Sequence, residues 1–235
     1  MTENPIDQNQ VPSLQSPTTP NESTPSLSDP SPALPRNPTP DFWNEGTFIY
    51  LGIPKSGKTS LALDHFRGIL SGTGAPGIIV DAERVGNFSE LKVPRARDLW
   101  SVLEIVFAQR KTCIWTPYSR SEFDALCEAI LEARMRVVLF VDEFANYISA
   151  RTAQDDAPLV RMMRSWRHVP ANLLLTSQHL TGDVPQAVFS CAPRIFLFRS
   201  TALPVLKRLE EHFSLDRGKV RTLEQFEYLE LYEGF

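Results

Sequence analysis

The sequence predicts an α/β fold: a central, mostly parallel sheet covered by helices on both faces, with an edge strand at the C-terminal end. Three observations predict it. Short apolar runs alternate with helical patterns from about residue 47 onward, the order that a parallel sheet requires. Several of those runs are apolar at successive positions, not at every second one, as suits strands buried on both faces. A glycine-bearing loop separates the first apolar run from the first helical pattern, the place where α/β sheets bind ligands.

Taken in order, the expected strands are "TFIYLG" (47–52), "GIIVDAE" (77–83), "TCIWTP" (112–117), "RVVLFVDEF" (136–144), "ANLLLTSQ" (171–178) and "RIFLFRS" (194–200). The C-terminal "QFEYLELYE" alternates and reads as the edge strand. The expected helices run from Lys58 to about Leu70, stopping at Gly72, and over about 98–109, 121–135, 155–168 and 202–213. The third opens with "SEFD", a serine cap followed by an acid three residues on. Gly72, Gly74 and Gly77 with Pro76 make a loop, not a second dinucleotide fingerprint. No internal repeat is visible.

Composition bounds the function. The chain has 235 residues, 42% of them hydrophobic, enough for one domain with a real core. The first forty residues differ from the rest: they hold ten of the 19 prolines and no aromatic residue. Such a segment buries too little apolar surface to offset its ordering entropy and is expected to be disordered. Residues 41–235 are the expected domain, starting near Asp41, Phe42 and Trp43. The tail carries −3 of the formal charge of −4, so the remainder is near neutral. A broadly basic, DNA-coating surface is excluded, and nucleic acid would have to be gripped by a local patch or inside a ring. Neither a secretory signal nor an apolar run of membrane-spanning length is visible, so no membrane insertion is expected. Cys113, Cys127 and Cys191 lack metal-type spacing and read as small buried thiols in a reducing cytoplasm.

The chemistry starts at "LGIPKSGKTS" (51–60). Gly52, Gly57, Lys58 and Thr59 stand in the spacing G-x-x-x-x-G-K-[ST], with a strand before and a helix after. The two glycines permit backbone angles that a side chain forbids. The loop from Gly52 through Ile53, Pro54, Lys55, Ser56 and Gly57 to Lys58, Thr59 and Ser60 then turns its N–H groups toward the phosphates of ATP. Lys58 reaches the β and γ oxygens and the Thr59 hydroxyl ligates Mg2+. Lys55 stays open between phosphate contact and solvated charge.

In "RVVLFVDEF", five apolar residues lead into Asp142 and Glu143. A buried strand ending in two carboxylates sacrifices stability unless a cation or a task accounts for them. Asp142 is expected to hold the metal shell, and Glu143 to orient and deprotonate the attacking water. An adjacent glutamate favours hydrolysis over transfer to a small substrate. "ANLLLTSQHL" ends in Thr176, Ser177 and Gln178 at the same expected rim. Gln178 reads either as a γ-phosphate sensor that positions water or as a loop-opening polar residue. Between them, Arg161, Arg164 and Arg167 share a helix face at spacing three. The face reads as solvated, or as the source of an arginine that reaches the γ-phosphate of a neighbouring subunit. "LKVPRARDLW" offers Lys92, Arg95 and Arg97 as a phosphate grip, with a solvated loop the stronger reading.

"GIPKSGKT", "VVLFVDEF", "RHVPANLLLTSQHL" and "DVPQAVFSCAPRIFLFRS" together resemble the FtsK/HerA superfamily of DNA-pumping ATPases, over roughly residues 47–200. "IIVDAE", with Asp81 at its end, resembles that family's second strand. The sensor reads Thr-Ser-Gln where Thr-Gln is commoner, and His-Leu follows where Arg-Pro often does. The resemblance implies a RecA-like P-loop NTPase with ATP and Mg2+ as cofactors, Gln178 as sensor and Arg167, eleven positions before it, as an arginine finger acting in trans. Among such proteins the chain is most like the genome-packaging ATPases of tailless icosahedral viruses with an internal membrane. That implies a homo-oligomeric ring, a hexamer, pumping double-stranded DNA into a preformed capsid. It also implies a place in the host cytoplasm, or at the packaging vertex in contact with capsid vertex proteins. The tail is a tether or inert. Two other classes stand beside this one: a phage assembly or secretion ATPase acting on protein, and a monomeric nucleotide-dependent switch or kinase.

Overall fold

A computed structural model of the chain describes residues 46–82, 88–148, 157–165, 168, 171–178, 188, 191–192, 194–200, 203–213 and 215–232. The proline-rich segment 1–40 lies outside the described residues. Among those described, seven strands form one sheet: β1 (Thr47–Leu51), β2 (Gly77–Val80), β3 (Cys113–Trp115), β4 (Val137–Val141), β5 (Ala171–Ser177), β6 (Arg194–Phe198) and β7 (Tyr228–Tyr232). They lie in the order β3-β2-β4-β5-β1-β6-β7. Every neighbouring pair is parallel except β6–β7, which is antiparallel. The expected mostly parallel sheet and its C-terminal edge strand are both present.

The strands of this sheet are apolar at successive positions because each alternate side chain has a core to enter. Ile49, Leu51, Ile78, Val80, Leu139, Val141, Leu173 and Leu175 join one buried cluster. Phe48, Tyr50, Ile79, Val138, Phe140 and Leu174 join the other. Helix α1 (Lys58–Thr73) covers the second cluster with Leu61, Ala62, Phe66 and Ile69. The first cluster is covered by α2 (Leu99–Leu103), α3 (Arg120–Ala133), α4 (Pro158–Arg164), α5 (Leu203–Phe213) and α6 (Arg217–Thr222). Each fully buried leucine or phenylalanine stabilises this arrangement by about 1.5–3 kcal/mol relative to exposure.

The helices depart from expectation at five places, the plainest being α4, which spans Pro158–Arg164 and is capped at Ser165, short of the expected 168. Helix α1 does not stop at Gly72. It runs to Thr73 and ends at Gly74, whose φ of 63° lets its N–H turn back to Leu70 O. The cap of α3 is Ser119, not Ser121. Ser119 is extended and its hydroxyl accepts from Glu122 N, while Glu122 Oε2 accepts from Tyr118 N at 2.8 Å. "SRSE" is itself an S-x-x-E box two residues upstream of "SEFD", and its extended serine wins the cap. Helix α2 begins at its Asp98 cap but widens into a π-turn over Glu104–Ala108. The short helix α6, capped by Asp216, was not anticipated, because six residues with an internal glycine carry little periodic signal.

The order of strands decides the rest. β1 lies between β5 and β6, and β4 lies on the other side of β5. Because these strands are parallel, their carboxyl ends open on one rim. The glycine loop, the Asp142–Glu143 pair and the Thr176–Gln178 stretch, spread over more than a hundred residues of chain, therefore meet there.

Candidate functional site

The loop after β1 has the geometry that its residues suggest. Gly52 N donates to Ser177 O at 3.3 Å and Ile53 N to Arg199 O at 3.0 Å. Gly57 has φ of 104°, a left-handed angle that only glycine adopts without strain. A Cβ on Gly52 would lie 2.7 Å from Phe198 Cβ, so this position has no room for a side chain either. Helix α1 starts at Lys58 with no side-chain cap and no acid in its first turn. Its first N–H groups and the positive end of its dipole are left to an anion. Ile53, Pro54, Lys55 and Ser56 also line a cleft of about 200 Å3, together with Arg199, Glu224 and Gln225. Pro54 and Lys55 are exposed, and Thr59 is half-buried beside exposed Ser60.

The acids lie opposite. The β4–β5 register pairs Val141 with Leu175, which brings the next residues, Asp142 and Thr176, level. Thr176 Oγ1 donates to Asp142 Oδ1 at 2.6 Å and accepts from Glu143 N at 3.2 Å. One buried hydroxyl thereby fixes both carboxylate residues. Glu143 stands at φ 48°, ψ 54°, a left-handed conformation that a non-glycine residue holds only when its surroundings impose it. Its Oε2 accepts from Gln178 N at 2.8 Å, and its Oε1 lies 3.7 Å from Lys58 Nζ. The side chains of Lys58 and Glu143 are only 5% and 7% exposed, so this is a desolvated ion pair linking the glycine loop to the acid strand. Lys58, Asp142, Glu143 and Gln178 are thus brought together as expected.

Beside them, Asp81 follows β2 next to β4, with Asp142 N donating to Val80 O at 3.0 Å. Asp81 is fully buried, and Arg95 Nη1 reaches its Oδ2 at 3.1 Å. Tyr147, nearby, is pushed up to about 12 by burial and then by the negative charges of Asp81 and Asp142. Asp81 and Asp142 therefore place negative charge on this side of the rim, which Arg95 and Lys58 offset in part.

Other candidates fare differently. Arg161 Nη1 donates to Glu128 Oε1 of α3 at 2.6 Å, so this end of the arginine face ties two helices together. Arg167 lies outside the described residues. The 92–97 segment is neither a free loop nor a free grip: Ala96 N donates to Ile114 O and Ile114 N to Pro94 O, and Arg95 is held on Asp81. Lys92 and Arg97 remain exposed. Sequence reasoning named Thr176 without giving it a role, and it missed Arg199 and the 224–226 stretch beside the loop. Only the strand register and the return of the chain through β7 reveal those neighbours. Among the described residues no helix is long and apolar enough to cross a membrane.

No family model matches the sequence, and no curated protein matches it. Solved structures do resemble it. One is the genome packaging NTPase B204 from Sulfolobus turreted icosahedral virus 2 in complex with ATPγS, 21% identical, with a TM-score of 0.68 over 81% of this chain and 93% of that one. The same protein in complex with AMP gives 0.67 at 21% identity over the same shares. Another is the pCW3 conjugation coupling protein TcpA with ATPγS, 15% identical, with a TM-score of 0.59 over 82% of this chain and 58% of that one. The likeness is one of fold: the chain has the α/β fold of P-loop NTPases. Neighbours of both kinds are in line with the FtsK/HerA resemblance carried by the motifs.

Proposed function

We propose that this protein is an ATP-hydrolysing DNA translocase of the FtsK/HerA type, working as a homo-oligomeric ring that pumps double-stranded DNA into a preformed viral capsid. The observation that carries the reading is the constellation of buried Lys58, Asp142, Thr176 and Glu143 with half-buried Gln178 at one sheet rim, on a fold shared with a genome packaging NTPase and a conjugation coupling protein. Buried Ser56 Oγ has no hydrogen-bond partner, and buried Glu143 Oε1 has only the 3.7 Å ion pair with Lys58. Under-satisfied buried polar atoms are costly, and a phosphate at Ser56 with an ordered water at Glu143 would satisfy them.

In this reading the N–H groups of Gly57, Lys58, Thr59 and Ser60 cradle the phosphates, and Lys58 reaches the β and γ oxygens from its place beside Glu143. Thr59 and Asp142 would hold Mg2+, which would supply charge neutralisation at the phosphates. Thr176 orients Asp142 and the Glu143 backbone. Glu143 accepts a proton from the attacking water, and its carboxylate stays aimed because Gln178 N holds its second oxygen. The Gln178 side chain senses the γ-phosphate. Arg167 enters the site of a neighbouring subunit and stabilises charge on the transferring phosphoryl group, so hydrolysis needs the ring. Segment 1–40 tethers the motor to capsid vertex proteins or is inert.

ATPase rate measured against protein concentration, with and without duplex DNA, tests the reading. DNA should stimulate the rate at concentrations where rings form. A per-subunit rate indifferent to both DNA and concentration overturns it. Mixing Arg167→Ala with Lys58→Ala subunits should restore part of the activity, because intact composite sites form at some interfaces. Absence of rescue in rings of confirmed size removes the trans role.

A further inference from the structure

The turn before β7 leans on the glycine loop from outside the sheet. Phe226 N donates to Ser56 O at 2.9 Å. The Phe226 ring sits on Gly57, where a Cβ would lie 2.6 Å from Phe226 Cδ1. Phe226 itself has φ of 70°, a left-handed angle that an aromatic residue adopts only when contacts around it demand it. The turn is closed on both sides. Glu227 N donates to Glu224 O at 3.2 Å, and Glu224 N to Glu227 Oε2 at 2.9 Å. Beyond it, β7 is paired to β6 and β6 to β1, so the turn is anchored to the sheet that carries the loop.

We infer that this turn is a clamp on the phosphate loop and that Phe226 is a positioning residue for nucleotide binding. The inference rests on the nucleotide-binding reading of the loop. The reason lies in the peptide unit joining Ser56 to Gly57. A trans peptide is planar, with its C=O and N–H pointing in opposite directions. Phe226 N–H draws the Ser56 carbonyl outward, so the Gly57 N–H of the same unit points away from the turn, into the loop. The ring on Gly57 then blocks rotation of that unit. The clamp acts on no reacting atom; it fixes an amide donor that the phosphates use. The same turn supplies Glu224 and Gln225 to the cleft lined by Ile53, Pro54, Lys55 and Ser56, so the loop and its outer wall should move as one body.

The test uses the full chain with a fluorescent ATP analogue and steady-state hydrolysis. Phe226→Ala and Phe226→Gly should weaken analogue binding and raise KM by about tenfold, the order expected for a loop slightly misplaced, with kcat changed far less. Phe226→Tyr keeps the ring and should restore wild-type values. Hydrogen exchange on the wild-type chain is the second measurement: adding ATPγS should protect residues 224–228 together with 52–60. If both truncations bind the analogue as the wild type does, or if the loop becomes protected while the turn does not, the clamp is overturned and the nucleotide reading stands. Loss of binding in the truncations only in step with loss of fold, seen by circular dichroism, overturns the positioning role too. A wild-type chain that binds no ATP analogue overturns the underlying reading and the clamp with it.

Discussion

Thr176 shows most directly how a single side chain can decide activity. Its hydroxyl is fully buried, donates to Asp142 and accepts from the Glu143 backbone. Thr176→Val keeps the shape and removes both bonds, leaving a carboxylate oxygen and an N–H unsatisfied in the interior, at a cost of about 1–3 kcal/mol. We expect lower stability in urea unfolding and a kcat reduced by about tenfold or more, with Thr176→Ser restoring most of both. Glu143→Gln should abolish steady-state hydrolysis while a fluorescent ATP analogue still binds. An unchanged rate would remove Glu143 as the base. His65 tests the other face of the sheet. Its Nδ1 lies 2.7 Å from the Tyr50 hydroxyl, and burial, then Arg194, lowers its pKa to about 4. An unfolded histidine titrates near pH ~6.5, so between these values the unfolded chain binds more protons. The contribution is present above about pH 6.5 and is lost as pH falls toward 4, up to about 3 kcal/mol. Urea unfolding at several pH values should show this slope, flattened in His65→Gln.

At the scale of elements, the caps were readable in kind and misplaced in position. Both "SRSE" and "SEFD" satisfy the same serine–acid spacing, and only the extended backbone of Ser119 selects the first. Ser119→Ala should destabilise the fold by about 1 kcal/mol and Ser121→Ala by much less, as thermal or urea unfolding will show. Gly72 likewise carried the right meaning at the wrong place. Gly74 adopts the left-handed angle, and Gly72 remains inside the helix. Strand identities were legible because continuous apolar runs have few alternatives in an α/β pattern. The π-turn after α2 and the short α6 were not, since neither changes the hydrophobic period over enough residues to register.

For the whole molecule, the parallel sheet converts distance along the chain into proximity. β1, β5 and β4 are neighbours with their carboxyl ends on one rim, so loop, polar stretch and acid pair become one site. In the proposed ring a second chain's Arg167 would extend that logic. Mixed-subunit rescue and DNA stimulation belong to this scale. The formal charge of −4 on the chain predicts that DNA binding confined to a few phosphate contacts in a ring interior weakens only shallowly with salt, where a broad basic surface would give a steep dependence. A salt titration of binding checks it. Lys92 and Arg97 stay exposed beside the pinned Arg95, so they are the first residues of that segment to substitute in such a titration.

The sequence by itself determined the fold class, the strands in order, the glycine loop and the identity of the acid pair. These are written in local periodicity and in residue types whose chemistry admits few other uses. Only the tertiary structure decided that Thr176 orients both acids, that Glu143 pairs with Lys58, that Arg95 is spent on Asp81 and that Phe226 presses on Gly57. Each of those contacts joins residues far apart in the chain through strand order and register. No local pattern encodes strand order, because it is set by how the whole sheet buries its two faces.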